Sequence, residues 1–496
     1  MLPTVGSLVT LAAFVGAMGP ISFRLFASDG DVGRHIRLGT HILETRSIPR
    51  TDLFSHTMAG EAFIPYEWLS EILFAQAHLL LGLAGVALLT AVLFAGANTL
   101  VYWTTVRMGV GRPLAALLTA YSIVLQSSHL LPRPHLFTTL LSIATLALLL
   151  EHRRSADRRW LWALPPMFAV WANLHGGFLI GLTLLAVFGA EALWRVVWAK
   201  DREAARPLRT LTITGFVCLA ATLLNPVGPV ILLHTTGYLG EQFLVDFTHE
   251  YMSPSFHHLA GKLFLYNIVL GVLLLLSGRA RPSFVGGVLF VVWLSAALFA
   301  SRNIPIFSVI LTPFLGVWTT RVILEVADSP SRLAGIARRF RDWSDRMTIQ
   351  DVSLTNPLGL LTVLVVMAAV FVAPGMREAY RWSEEVFPVE AVLWVQTQKL
   401  EGRVFNQFTW GGYLLYAAPE IPVFIDGQTD FYGEQLTRDY LTVVSAQPGW
   451  DSLLVEHQID WTLTESKQPL NQVLDLRTDW ERVYEDSTAT VFVRRP

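Results

Sequence analysis

The sequence predicts a polytopic α-helical membrane protein carrying a C-terminal extracytoplasmic α/β domain, and three observations predict it. Hydrophobic residues make up 53% of the chain and charged residues 15%, with a mean hydropathy of +0.46, a balance that excludes an ordinary soluble globule. The apolar residues fall into runs of the length needed to cross about 30 Å of hydrocarbon. Arginine and lysine cluster at alternate turns between those runs: Arg107/Arg112, Arg153/Arg154/Arg158/Arg159, Lys200/Arg202/Arg206/Arg209, Arg279/Arg281 and Arg338/Arg339/Arg341. Such turns are cytoplasmic by the positive-inside bias.

The first apolar run, residues 2–26, lacks the basic start of a signal peptide and is long enough to span. It reads as a retained first helix, with its N-terminus in the cytoplasm and Asp29 outside. Further spans are expected near 84–106, 113–129, 135–151, 160–174, 177–198, 208–225, 261–278, 283–300, 304–325 and 356–374, eleven crossings in all. An odd count starting inside ends outside, and the arginine-dense loop 321–347 before the last span agrees. The expected chain is therefore a multi-pass protein of the bacterial inner (cytoplasmic) membrane, with a membrane domain over 1–375 and a periplasmic α/β domain over 376–496.

Between the first two spans, the external loop 27–83 carries two expected surface helices. Residues 32–45 space Ile36, Leu38, Ile42 and Leu43 for one face of a helix with Arg34, His35, Arg37 and His41 between them, an amphipathic helix on the membrane surface. Pro65 opens the second, running to about Leu81, where Glu67 and Glu71 suit the positive end of the helix dipole. A second external loop, about 226–259, holds Asp246, His249, Glu250, His257 and His258 and no arginine or lysine. In the C-terminal domain the spacing predicts helices over 390–399, 434–446 and 448–457, and strands over 403–406, 413–416, 422–425, 461–464, 482–484 and 490–493.

A net charge of −2 with no basic-aromatic interleaving gives no reason to expect nucleic acid. The single cysteine, Cys218, rules out a disulfide framework and a cysteine zinc site. What stands out is polar chemistry at span ends on the non-cytoplasmic side: Asp29-Gly30-Asp31, Arg133-Pro134-His135, Asn173-Leu174-His175, Asn225-Pro226, His249-Glu250 and Arg302-Asn303. Polar groups from separate segments on one face point to a composite site. Asp29 and Asp31 can share a divalent cation, Mg or Mn, or divide two jobs as base and partner; the alternative is a solvated Asp-Gly turn. Arg133 and Arg302 break the sidedness of the other arginines, and a phosphate is a suitable counter-ion where the alternative is snorkelling to headgroups; Arg24 is a weaker candidate. His135, Asn173 and His175 are read as substrate or structural groups, with His35, Glu67, His249, Glu250 and Asn303 added as substrate-binding positions. No H-x-x-H or H-E-x-x-H spacing supports zinc. Trp410-Gly411-Gly412-Tyr413 and Phe424-Ile425-Asp426-Gly427-Gln428 read as turn chemistry of the small domain, with ligand binding as the alternative.

On these elements the N-terminal two thirds resembles the GT-C glycosyltransferases, which include protein O-mannosyltransferases, oligosaccharyltransferase catalytic subunits and the aminoarabinose transferase of lipid A. The carriers are a first span followed by the acidic pair Asp29 and Asp31, a long first external loop with two helices, and the Pro65-Tyr66-Glu67-Trp68-Leu69 helix start, which departs from the family's His-Pro-Pro-Leu form. Asp29 through Ile48-Pro49-Arg50, Phe54-Ser55, Trp171-Ala172-Asn173-Leu174-His175-Gly176-Gly177 and the Phe-Ile-Asp-Gly tail are similar to a bacterial group of membrane proteins related to that fold. The resemblance implies sugar transfer from a polyprenyl-phosphate donor to a glycan, lipid or protein acceptor on the outer face of the membrane. Asp29 or Asp31 would serve as base or metal ligand, and Arg133 or Arg302 would hold the donor phosphate. The competing readings are a lipid-linked solute transporter or flippase, which would gather polar groups near the midplane and show a repeat, and a non-catalytic envelope assembly protein.

Overall fold

The computed structural model describes residues 3–19, 23, 27–237, 243, 247–354 and 357–495. A helix occupies each of the eleven apolar runs, and among the described residues five helices are long and apolar enough to cross a membrane: Leu83–Arg107, His135–Ser155, Phe178–Val197, Leu259–Leu276 and the Ser301–Ala327 segment. Others are shorter among the described residues, such as Val5–Met18 and Phe284–Phe299. The run expected as one span over 160–174 is broken: a single turn, Arg159–Trp162, precedes the Leu164–Leu174 helix, whose Pro165 and Pro166 stand where missing N–H groups leave no hydrogen bond unmade. The bundle core gathers on Ile304–Ala327, where every residue from Ile304 to Gly316 is buried.

The arginine-rich segment before the last apolar helix is a helix, Ala334–Ser353, where only a loop is expected from charge. Its Asp351 pairs with Arg112 and accepts the backbone N–H of Val5 at 2.6 Å. One carboxylate thus ties this helix to two helix starts.

In the first external loop, the Asp31–Thr45 helix does not lie freely on a surface. Val32, Ile36, Leu38 and Ile42 are buried, and so are Arg34 and His35, because it is sandwiched between the Trp68–Leu81 helix and the Gly411–Ala417 helix of the C-terminal domain. The second loop helix starts at Trp68, three residues after Pro65, which leaves Glu67 at the N-cap and Glu71 in the first turn.

The C-terminal domain is built on one four-stranded sheet, β1 (Arg403–Asn406), β2 (Ile459–Glu465), β3 (Trp480–Glu485) and β4 (Ala489–Arg494), in the order β1-β2-β4-β3. β1 runs parallel to β2, and the other pairings are antiparallel. Strand alternation sends Val404, Trp461, Leu463 and Val491 to one face, against the Val389–Gln398 and Gly411–Ala417 helices. Phe405 and Phe492 go to the other, against Tyr432, Tyr440 and Val443 of the Thr429–Val444 helix, and an irregularity between the Arg403–Ile459 and Val404–Trp461 pairs brings Ile459 to that face too. Two expected strands are corrected. Residues 413–416 are helical, since Gly411-Gly412 starts a helix instead of a turn. Residues 422–425 join the sheet nowhere; Val423 bonds the first external loop instead, accepting from His56 N at 3.0 Å and donating to Phe54 O at 3.0 Å.

Candidate active site

Asp29 stands just before the Asp31–Thr45 helix, and Gly30 lets the chain run directly against the C-terminal domain. Arg133 comes from the turn before the His135–Ser155 helix. Its fork donates to both Asp29 oxygens, Nε to Oδ2 at 2.8 Å and Nη2 to Oδ1 at 2.7 Å, while Nη1 faces Asp31 Oδ2 at 3.0 Å. The two carboxylates are not equivalent. The side chain of Asp29 is 2% exposed and that of Asp31 20%. Burial pushes the Asp29 carboxyl up, and the Arg133 guanidinium opposes that shift.

Asp31 and Arg133 open onto a cavity of about 110 Å³ that also takes in Arg34, Glu67, His175, Glu250 and Arg302. Arg302 pairs with Glu250 at 3.2 Å and lies 4.3 Å over the ring of Tyr251. That pairing lets Arg302 hold Glu250 below the ordinary glutamate range, against the upward push of burial. Arg34 donates to Gln428 Oε1 at 2.8 Å and faces Glu67 at 3.8 Å and Glu71 at 3.7 Å. Burial lifts Glu67 to about 8 and Glu71 to about 7, with Arg34 opposing in both. Glu67 is thus largely protonated at neutral pH, which leaves Asp31, Glu250 and Asp430 facing Arg34, Arg133 and Arg302 across the lining.

His175 has its tautomer set by its neighbours. Nδ1 accepts the backbone N–H of Gly177 at 2.9 Å, so the ring proton sits on Nε2, 3.6 Å from Glu67. Thr138 Oγ1, itself accepting from Trp171 Nε1 at 2.8 Å, lies 2.9 Å from the same Nδ1. Burial depresses His175 to about 3, so it acts as a neutral donor.

Of the residues singled out from sequence, Asp31, His35, Glu67, Arg133, His135, His175, Glu250 and Arg302 line this cavity, and Asp29 stands behind Asp31. Asn173 and Asn303 do not line it. Asn173 accepts from Trp68 Nε1 at 2.7 Å and donates to the carbonyls of Ala169 and Leu224, and Asn303 donates to Ala296 O, so both spend their amides on joining helix ends. Arg24 and the side chain of His249 lie outside the described residues. Residues that the sequence reading did not assign to the site are Arg34, His129 and Asp430 in the lining and Glu71 behind it, while Gln428, read as turn chemistry with ligand binding as the alternative, lines the cavity. A signal existed for some: Glu67 and Glu71 are four apart on one helix face, and Gln428 and Asp430 follow the Phe-Ile-Asp-Gly string.

The arrangement bears on a metal in two ways. With both Asp29 oxygens taken by Arg133, the residues present do not fit a cation bridging Asp29 and Asp31. His35, Glu67 and Glu71 bring ligand atoms within 4.8 Å of one another, an N,O,O set suited to a divalent transition metal. His35 Nδ1 and Glu71 Oε2 are buried without hydrogen-bond partners there, although Arg34 faces both carboxyls.

The fold is a bundle of apolar helices with a small α/β domain packed against the loop helices beside the polar cavity, and it is shared with solved oligosaccharyltransferase structures. The oligosaccharyltransferase of Archaeoglobus fulgidus in its apo form superposes with a TM-score of 0.59 at 11% identity, covering 92% of this chain and 69% of that one. The AglB structure from the same organism, in complex with an inhibitory peptide and a dolichol-phosphate, gives 0.57 at 11% identity over the same shares. ArnT from Cupriavidus metallidurans bound to undecaprenyl phosphate gives 0.49 at 15% identity, covering 97% of each chain. No family model and no curated protein sequence matches the chain.

Proposed function

We propose that this protein transfers a sugar from a polyprenyl-phosphate donor to a hydroxyl acceptor at the outer face of the membrane, with the Asp31 carboxylate as general base. The observation that carries this reading is the unequal burial of the acidic pair: Asp31 is reachable from the cavity and Asp29 is not. Asp31 accepts the proton of the attacking hydroxyl as the new bond to the anomeric carbon forms. The bond from that carbon to the phosphate oxygen breaks, and its electron pair leaves with the lipid phosphate. Arg302, and Arg34 across the cavity, supply positive charge where that phosphate gains it. Asp29 is a positioning residue that holds the Arg133 fork, and the neutral His175 and protonated Glu67 offer donors to sugar hydroxyls. The eleven-crossing topology, with the N-terminus inside and the C-terminal domain outside, belongs to the same proposal and is supported by the arginine distribution.

Purified full-length protein, supplied with membrane lipid extract as donor source and assayed for sugar transferred to acceptor, tests it. Asp31→Asn is expected to lower turnover about 10²–10⁴-fold, the usual worth of a positioned base. Wild-type turnover in a well-folded Asp31→Asn protein would remove Asp31 from the chemistry and the transferase reading with it.

A further inference from the structure

At the end of the bundle opposite the polar cavity, a second cavity of about 890 Å³ opens between the Leu83–Arg107, His135–Ser155 and Ile304–Ala327 helices. His135 lines the first cavity and Glu151 the second, and they are separated by roughly 24 Å of helix at about 1.5 Å per residue. The two cavities therefore lie toward opposite faces of a bilayer whose apolar core is about 30 Å thick.

The inner wall is apolar, with Leu100, Phe314 and Trp318 facing the space. The mouth carries Arg107, Arg153, Arg154 and Arg321 against one carboxylate, Glu151. That carboxylate is shared: Arg107 donates to Oε1 at 2.7 Å and Arg154 to Oε2 at 2.7 Å. Arg153 reaches out of the cavity to Glu191 at 2.9 Å, and the hydrogen bonds of Arg321 go to the backbone carbonyls of Ala280 and Arg281. The lining thus has an excess of guanidinium charge above an apolar chamber.

An acyl chain gains no hydrophobic free energy by leaving lipid for such a chamber, because the tails around it are equally apolar. Selection among lipids falls to the head group. With Arg153 spent on Glu191, the three guanidinium groups of Arg107, Arg154 and Arg321 against the one Glu151 carboxylate suit a phosphate of net negative charge, while the ammonium of a zwitterionic head group would face the same cations. We infer that this cavity binds one anionic phospholipid of the leaflet opposite the polar cavity, with its tails against Phe314 and Trp318 and its phosphate at Arg107 and Arg321. Such a lipid would brace two of the helices whose other ends present Arg302 and His135 to the first cavity. The inference does not rest on the transferase reading.

The test uses the full chain in nanodiscs of phosphatidylcholine containing minor, equal fractions of phosphatidylglycerol and polyprenyl phosphate, with retained lipid counted by native mass spectrometry after ejection. Phosphatidylglycerol is expected to be enriched about tenfold over its mole fraction, the ratio that corresponds to about 1.4 kcal/mol. The double variant Arg107→Gln/Arg321→Gln should lose that enrichment. Arg339→Gln, which alters an exposed arginine outside the cavity, should keep it. Equal retention of the phospholipids, preference for polyprenyl phosphate, or enrichment surviving in the double variant would each overturn the inference. Should the double variant fail to fold, the thermal midpoint of the unaltered chain decides. It should rise with phosphatidylglycerol and not with phosphatidylcholine, and parallel curves would sink the idea.

Discussion

Asp29 and Asp31 have the same chemistry and sit one residue apart, yet one is enclosed by a guanidinium fork and the other borders open space. That difference sets opposite expectations for their variants. Asp31→Asn should lose turnover with donor affinity retained. Asp29→Asn frees half of the Arg133 fork inside the protein, so it should lower stability as well as turnover, a split readable by comparing thermal midpoint with kcat. Glu67 and Glu71 carry a second expectation. Both hold their protons more tightly when folded, so between the ordinary glutamate range and about 8 the folded chain binds protons that the unfolded chain releases. Stability therefore falls as pH rises through that window. Above the ordinary histidine range, where the depressed His175 no longer opposes it, the thermal midpoint should drop as pH rises to about 8, and Glu67→Gln should flatten the slope; an unchanged slope would place the titration elsewhere.

The site depends on how closely the Asp31–Thr45 helix approaches the C-terminal domain. A Cβ on Gly427 would collide with Asp31 Oδ1, and one on Gly412 with Gly30 O. Gly427→Ala should cost about 1–3 kcal/mol through overpacking, and it should displace Asp31 from Arg133, so activity falls further than stability accounts for. An Ala variant with wild-type activity would show that this contact does not position the base. The helical periods of residues 32–45 and 390–399 were legible because one face of each helix meets a core, and the β-prone runs at 403–406 and 461–464 because they are short buried runs bounded by turn residues. The runs at 413–416 and 422–425 were not. Their apolar residues pack against segments distant in sequence, and four-residue windows do not distinguish a buried helix from a strand.

At the scale of the molecule, the polar cavity is assembled from the turns at 129–135, 175 and 250–251, the Arg302 turn, two loop helices and the start of the Thr429–Val444 helix. The arrangement predicts sidedness. Cys218 is buried, so single cysteines can be placed against a quiet background. A cysteine at exposed Glu434 should react with an impermeant maleimide added outside intact cells, and one at Arg339 only after permeabilisation. The reverse pattern would invert the topology and put the cavity in the cytosol.

By itself, the sequence determined that the chain is a helical membrane protein with a separate α/β tail and polar residues at span ends. These are properties of composition, run length and charge placement, which act locally and survive without knowledge of contacts. Only the tertiary structure decided which polar residues share a space. Asn173 and Asn303 were spent on backbone carbonyls, while Arg34, Gln428 and Asp430 were brought into the cavity. Burial and the neighbours across a contact set what a carboxylate can do, and neither is a property of its neighbours in sequence.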